Sequence, residues 1–445
     1  MTWLRWISFA AGAVTVLTTY SGLVSAFILP RRGRSTVQRI VARGTLTVFN
    51  GVAERFPTYA ARDRILAYQA PFFLLALLAV WLSLFLVGFA LLLYPFVGGG
   101  GFTHALVESG SSLFTLGFAS DSGVAPRMLI LFAAATGLVV VALQIAYLPV
   151  IYGAFNRRET LVTMLEGRAG APSWGPELLA RHELVDNVES LGRLYESWEV
   201  WAADVAESHS TYPVLVWFRS PHPQRSWVLG LLSVLDAAAI HLATRPLSAP
   251  PQARPLMRMG YTALRDLAVV VGYRVNEDPN PDSEIELSKQ SFMDAMHRLE
   301  DVGWPFERDP EEAWIHFRGW RVNYEDAAYR LADAVNAPPA LWAGPRRRLP
   351  EHLQPPERPP HREPSGEILK VKETTRQRRA VRQGTAVPAR RSAHDHHLAA
   401  QAERGLVHPA EAQKLADTAA DDHAALPDDH AGTESQSSPP ITAPE

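Results

Sequence analysis

The residues whose types and spacing could do chemistry lie in a short stretch between two apolar runs: Thr115, Leu116, Gly117, Phe118 and Ala119. A Thr-x-Gly-aromatic sequence held between two membrane helices allows four chains to point rows of backbone carbonyl oxygens at one axis. Carbonyl oxygens arranged in this way replace the water around a monovalent cation. The pattern therefore indicates passage of an ion rather than catalysis.

Two apolar runs must hold this stretch in place. Residues 70–96 carry no charge and are rich in Leu and Phe, and residues 129–152 carry Gln144 as their one strongly polar side chain. At about 1.5 Å per helical residue, each run is long enough to cross a hydrocarbon core of about 30 Å. The sequence predicts an outer helix over 70–96 and an inner helix over 128–153.

A third apolar run, residues 3–29, contains Arg5 as its one charge. Basic residues follow it, as they follow stop-transfer segments, and the run is long for the core of a signal peptide. The small residues Val24-Ser25-Ala26 keep a cleaved signal peptide open as an alternative. We expect a retained membrane helix within residues 1–35 and a linker over 36–69.

The distribution of arginines predicts the orientation in the membrane. The positive-inside rule places in the cytoplasm both the segment between the runs 3–29 and 70–96 and the segment that follows the run 129–152. We therefore expect a multi-pass protein of the plasma or inner membrane, with its N-terminus outside, its C-terminus in the cytoplasm and residues 98–127 outside. The arginines concerned are Arg31, Arg32, Arg34, Arg39, Arg43, Arg62, Arg64, Arg157 and Arg158.

The order of outer helix, short polar helix, Thr-Leu-Gly-Phe and inner helix over residues 70–160 resembles the potassium channel family. The resemblance implies a pore helix and filter over 103–121, in which Thr115 contributes both its carbonyl and its hydroxyl to the ion. It also implies that Leu116 packs outward, that Gly117 takes a positive φ and that Phe118 braces the filter from behind. A four-fold site needs four loops and this chain has one, so a homotetramer is expected, with K⁺ as the transported ion and no cofactor.

Three residues depart from the family pattern. Ala119 stands where the family has a second glycine, and a left-handed alanine costs about 1–2 kcal/mol. Phe114 stands where a Thr or Ser usually precedes the filter threonine, and Ser120 separates the filter from Asp121. Passage of a monovalent cation is therefore a firmer expectation than preference for K⁺ over Na⁺.

Two residues of the predicted inner helix match places where the family bends during gating. Gly137 lies in the middle of the run, and Pro149 lies near its inner end. Proline inside a helix removes one hydrogen bond and bends the chain. Both residue types are common in membrane helices, so an ordinary packing role stays open beside the hinge role.

The second half of the chain predicts a helical domain and a tail. Over 161–343, which holds nine of the twelve tryptophans, amphipathic periods predict a cytosolic helical bundle with one long helix over 177–208. The apolar segment 226–244 is interrupted by polar residues and is expected to be a core helix rather than a fourth span. Residues 344–445 are expected to be disordered, with a basic tract that either is simply solvated or binds anionic lipid.

Other function classes find little support. A net charge of −3 gives no field for nucleic acid, and the absence of cysteine excludes disulfides and thiolate metal sites. The pairs His182 with Asp186 and Asp236 with His241 lack a third metal ligand, and no hydrolase or phosphate-binding motif occurs. We expect an all-α membrane protein that is not an enzyme: a tetrameric cation channel or, alternatively, a membrane-anchored scaffold or sensor with a non-conducting module.

Overall fold

The computed structural model describes residues 2–27, 36–97, 101–118, 123–344 and 353–358. Every regular element within these residues is helical. Two short 3₁₀ turns, Val188–Ser190 and Pro213–Trp217, lie among the helices of the second half. The α-helices in chain order are α1 (Thr2–Phe27), α2 (Thr36–Ala53), α3 (Tyr59–Leu66), α4 (Gln69–Leu93), α5 (Gly101–Leu113), α6 (Val124–Ala169), α7 (Gly175–Leu184), α8 (Leu191–Thr211), α9 (Trp227–Thr244), α10 (Ala253–Val271), α11 (Lys289–Val302), α12 (Pro310–Arg321) and α13 (Glu325–Ala334).

Four of these helices, α1, α4, α6 and α9, are long and apolar enough to cross a membrane. The first three expose large apolar side chains, as lipid-facing helices do. In α9, by contrast, all 18 residues are buried inside the protein. Its Asp236 pairs with Arg321 of α12, so α9 is the central helix of a helical domain, as the sequence predicted for this segment.

Glycines allow α1 and α4 to pack closely in antiparallel directions. A Cβ built on Gly12 would lie 2.7 Å from the carbonyl oxygen of Gly88, and one on Gly88 would lie 2.8 Å from Val16. Because side chains are missing at both positions, the two backbones approach closely and gain van der Waals contact, which drives helix association in lipid. The hydroxyl of Tyr20 then links α1 to Thr136 of α6.

Helix α5 is a short element between α4 and α6. Its 13 residues span about 20 Å, less than the roughly 30 Å of a hydrocarbon core. The hydroxyl of Ser109 donates to the carbonyl of Leu86 on α4 at 2.8 Å, while Leu113 contacts Gly137 on α6. The helix, Gly101–Leu113, begins close to the start of the predicted pore helix and filter, 103–121.

Helix α6 differs from the prediction in its length. It runs without a break from Val124 to Ala169, so its 46 residues span about 69 Å. The predicted inner helix, 128–153, and the start of the predicted domain at 161 both lie within this one continuous helix. The predicted linker over 36–69 likewise contains α2 and α3.

The long helix predicted over 177–208 is wrong. α7 ends at Leu184, Asp186 has a φ of 55°, and the chain passes through a 3₁₀ turn before α8 begins at Leu191. Aspartate is one of the few non-glycine residues that tolerate this left-handed conformation, because its short polar side chain can bond locally. The apolar period continues across the break, which is why the pattern alone suggested one helix.

The prediction of disorder over 344–445 does not hold for residues 353–358. Arg358 forms two hydrogen bonds with Glu177 on α7, and Pro356 packs beside Gly170 at the end of α6. Most of the predicted tail, residues 345–352 and 359–445, lies outside the described residues.

Candidate functional site

Helix α5 ends in a Schellman motif that leads into the predicted filter. The N–H of Thr115 donates to the carbonyl of Ser112 at 2.9 Å, and the N–H of Leu116 donates to the carbonyl of Ser111 at 2.7 Å. These bonds satisfy carbonyls that a helix terminus leaves without partners. This motif ends α5 at Leu113 and turns the chain away from the helix axis.

Threonine occupies the left-handed position of this motif, where glycine is usual. Thr115 has a φ of 54°, a conformation that costs an L-residue about 1–2 kcal/mol and is rare for a β-branched side chain. Local strain of this kind is concentrated at functional sites. Glycine would adopt this conformation without the strain, but it would lack the hydroxyl group of Thr115.

The sign of φ alternates along the predicted filter. It is positive at Thr115 and, as predicted, at Gly117, where it is 72°, whereas Leu116 and Phe118 do not have a positive φ. The N–H of Gly117 joins that of Leu116 on the Ser111 carbonyl, at 3.3 Å. Two successive N–H groups therefore point to one side of the segment, back toward α5.

The direction of these N–H groups determines that of the preceding carbonyls. In a trans peptide the C=O of one residue and the N–H of the next point in opposite directions. The carbonyls of Thr115 and Leu116 consequently point away from Ser111 and from α5. Among the residues that the structure describes, neither carbonyl accepts a hydrogen bond. Two successive oxygens are thus presented on the outer side of the loop.

The large side chains of the segment are uncovered in the single chain. Leu116 is 62% exposed and Phe118 is 68% exposed. Within the part of the chain that the structure describes, neither side chain is packed in the way that the resemblance implies. Ala119, the last predicted filter residue, lies outside the described residues.

The buried face of α5 is polar, a feature that the sequence reasoning missed. Glu108 and Ser109 are fully buried, and the hydroxyl of Ser112 donates to the Glu108 carbonyl at 2.8 Å. An ionisable side chain within a membrane segment is expensive and usually functional. A glutamate between two apolar runs was the available signal. Glu108 therefore places a carboxyl group on the buried face of the helix that leads into the segment.

Gly137 and Pro149, the two predicted hinge residues, lie in different surroundings. A Cβ on Gly137 would lie 1.8 Å from the carbonyl oxygen of Leu113, so glycine is required here by the contact between α6 and the end of α5. Pro149 lies twelve residues further on, or about 18 Å, on an exposed part of α6 that remains helical on both sides. The structure brings Gly137, but not Pro149, to the filter segment.

A buried arginine joins α6 to the helical domain. Arg158 donates to Nε2 of His209 on α8 at 3.0 Å and to the carbonyls of Leu215 and Phe218 at 2.8 and 2.7 Å. It also bonds Glu159 at 2.9 Å. These four partners hold one guanidinium with no exposed surface. The domain is therefore bonded to the same helix that contacts the filter segment.

A second arginine fastens α3 to the domain. Arg219 pairs with Asp63 and donates to the hydroxyl of Tyr59 and to the carbonyl of Asn336. Its side chain is mostly buried, so these bonds are only weakly screened by solvent. The polypeptide between α1 and α4 is thus attached to the domain as well.

The residues considered as metal ligands have other partners. Nδ1 of His182 lies 2.7 Å from the Leu178 carbonyl, and Asp236 is bonded by Arg321 and Tyr324. Nowhere in the described part of the chain do three or more acidic or histidine side chains gather in a way that could hold a metal.

The functional assignment depends on these contacts, because comparison with known proteins adds nothing to them. No protein family, no curated protein and no solved structure matches this chain.

Proposed function

We propose that this chain forms a homotetrameric channel that conducts monovalent cations passively across the plasma or inner membrane, with potassium as its preferred ion. The ion is bound by backbone carbonyls of Thr115, Leu116, Gly117, Phe118 and Ala119. Four copies are needed because one chain supplies a single such segment. The channel module sits between membrane helices α4 and α6, with α1 packed against α4.

One observation carries the proposal: the carbonyls of Thr115 and Leu116 point away from α5, and a strained threonine lies at the start of the segment. Carbonyl oxygens directed at an axis are the ligands by which a filter replaces the hydration shell of a cation. The C-terminal end of α5 lies beside them, and the negative end of its dipole favours a cation. The buried carboxyl group of Glu108 adds to the same electrostatic preference when it is ionised.

The exposed apolar side chains support assembly. Leu116 and Phe118 are mostly exposed in the single chain, whereas the large apolar residues of an assembled filter would be packed. In the tetramer, neighbouring copies supply their contacts. The side chains of one segment then brace the backbone of the next. In this arrangement the potassium preference depends on packing between chains rather than within one.

The continuous helix α6 supplies a route for gating. A displacement of the helical domain acts on α6 through Arg158, and α6 contacts the end of α5 through Gly137. The arginine distribution orients this assembly with the filter toward the outside and the domain in the cytoplasm. The basic part of the tail binds anionic lipid of the inner leaflet.

Reconstitution of the purified chain into liposomes tests the proposal. We expect K⁺ flux that Gly117→Asp abolishes, because a charged side chain enters the filter. Thr115→Val, which removes the hydroxyl at nearly constant volume, should reduce flux about tenfold or more, whereas Thr115→Ser should retain most of it. If neither K⁺ nor Na⁺ moves faster than in Gly117→Asp, the channel assignment fails. Equal K⁺ and Na⁺ flux would remove the potassium preference alone.

Oligomeric state provides a separate test. The chain has no cysteine, so Phe118→Cys introduces a single reactive thiol into each filter segment. We expect oxidation to link copies within a tetramer, since the four segments surround one axis. A chain that stays monomeric in detergent and conducts no ion would favour the membrane-anchored scaffold instead.

A further inference from the structure

Residues 353–358 lie against the junction of α6 and α7. Arg358 donates from Nε to Oε1 of Glu177 at 2.9 Å and from Nη2 to Oε2 at 3.0 Å. In the opposite direction, Nη2 of Arg181 donates to the carbonyl of Glu357 at 2.8 Å. A bidentate arginine–carboxylate pair specifies both position and orientation, so the segment is held in one register.

Pro356 places the segment on the last turn of α6. Gly170, which ends that helix with a φ of 83°, has no side chain, and a Cβ there would lie 2.3 Å from Cβ of Pro356. Arg181 donates to the carbonyl of Gly167 at 3.1 Å, which ties the same turn to α7. The segment therefore covers the end of the helix that runs from the filter segment into the domain.

The anchor of the segment allows detachment. Glu177 is fully buried and also pairs with Arg181 at 2.9 Å and Arg298 at 2.8 Å. Burial raises the pKa of Glu177, but hydrogen bonds from Arg358 and Arg181 and the charges of Arg358 and Arg298 outweigh that effect and hold the pKa below its ordinary value. Departure of Arg358 leaves the carboxylate with two cationic partners, so no buried charge is stranded.

We propose that residues 353–358 form a reversible strap, the tail strap, which clamps the C-terminal end of α6 on α7. The occupant of the surface formed by Gly170, Glu177 and Arg181 is thus this chain's own Pro-Glu-Arg sequence. When the tail strap is bound, the last turn of α6 is held on α7; when it detaches, that turn loosens.

A spin label tests the tail strap without any measurement of ion flux. Gln354 is exposed and the chain has no cysteine, so Gln354→Cys carries a nitroxide at one position. We expect an immobilised label in the parent, a mobile label in Arg358→Gln, and an immobilised label in Glu357→Gln, because Glu357 contacts Arg181 through its backbone carbonyl. A label equally mobile in the parent and in Arg358→Gln would overturn the proposal.

Hydrogen exchange tests the effect on α6. The N–H of Gly170 donates to the carbonyl of Glu166 at 2.8 Å within the clamped turn. Amides of residues 166–170 should exchange several-fold faster in Arg358→Gln than in Glu357→Gln, and equal rates would show that the tail strap does not clamp the helix. A changed cation flux in Arg358→Gln is a further consequence that rests on the proposed function. An unchanged flux, with the label and exchange results intact, would show that the clamped turn does not act on ion passage; absence of flux in the parent would count against the channel, and neither result would overturn the tail strap.

Discussion

Gly137 of α6 lies directly against the carbonyl oxygen of Leu113, the last residue of α5: a methyl group at Gly137 would lie 1.8 Å from that oxygen. No side chain fits into this gap. The contact joins the inner helix to the turn that presents the predicted filter carbonyls. The position of the filter segment therefore depends on the absence of a side chain at Gly137, twenty-four residues after Leu113.

Gly137→Ala should therefore destabilise the membrane part of the protein. The methyl group must displace α5, and overpacking of this kind costs about 1–3 kcal/mol or more. Thermal unfolding in detergent measures the effect. The matched control is Gly153→Ala in the same helix, where the nearest atom is 3.9 Å away, and which should not destabilise the protein but gain up to about 1 kcal/mol of helix stability. A Gly137→Ala protein with normal stability and altered gating would identify a hinge role instead.

Gly12→Ala should loosen α1 from α4. The new methyl group would lie 2.7 Å from the Gly88 carbonyl oxygen and 2.8 Å from the Leu92 nitrogen, both of which are backbone atoms that cannot rotate away. We expect a loss of about 1–3 kcal/mol. Gly51→Ala in α2 meets nothing within 4 Å and should instead gain up to about 1 kcal/mol of helix stability. Equal effects in the two variants would contradict the close packing of α1 on α4.

Arg158 and Arg157 are neighbours in sequence, but their replacement should lower the stability of the protein by very different amounts. Arg158→Gln removes a buried charge and leaves Glu159, His209 and two carbonyls without their donor, which should cost about 3–5 kcal/mol. Arg157 pairs with Asp204 at an exposed site, and Arg157→Gln should cost about 0–1 kcal/mol. Chemical denaturation of the two variants under the same detergent conditions makes the comparison. Similar midpoints would mean that the Arg158 contacts do not hold the domain to α6.

His209 should make stability depend on pH. Burial and the charge of Arg158 hold its pKa well below the ordinary value of 6.5. Arginine only donates, so Nε2 of His209 must accept and the folded ring is neutral. The unfolded chain takes up a proton below about pH 6.5 while the folded chain does not, so stability falls as the pH falls, by up to about 1.4 kcal/mol per pH unit.

Unfolding free energies at pH 7.5 and at lower pH, about 5.5, measure this slope. His209→Gln, which keeps an acceptor but cannot titrate, should flatten it relative to the parent. An unaltered slope in His209→Gln would assign the pH dependence to other groups.

The sequence by itself determined the elements that depend on local composition. Length and hydropathy located α1, α4 and the membrane part of α6, because a segment crosses lipid only if its own side chains are apolar and its backbone bonds are satisfied within the helix. The short α5 and the positive φ of Gly117 were expected from the resemblance of this segment to the potassium channel family, and both depend on a few adjacent residues. The central helix α9 was recognised because its polar residues occur within its own few turns.

Only the tertiary structure decided the contacts between residues distant in the chain. The requirement for Gly137 comes from Leu113, the burial of Arg158 from α8 and the loop after it, and the placement of Arg358 from Glu177, 181 residues earlier. The sequence did not reveal the break at Asp186, because an apolar period can continue across a kink. It did not reveal the full length of α6 either, because a change from apolar to polar composition need not end a helix. Periodicity records which side of a helix is buried, whereas packing partners are set by geometry that no local pattern contains.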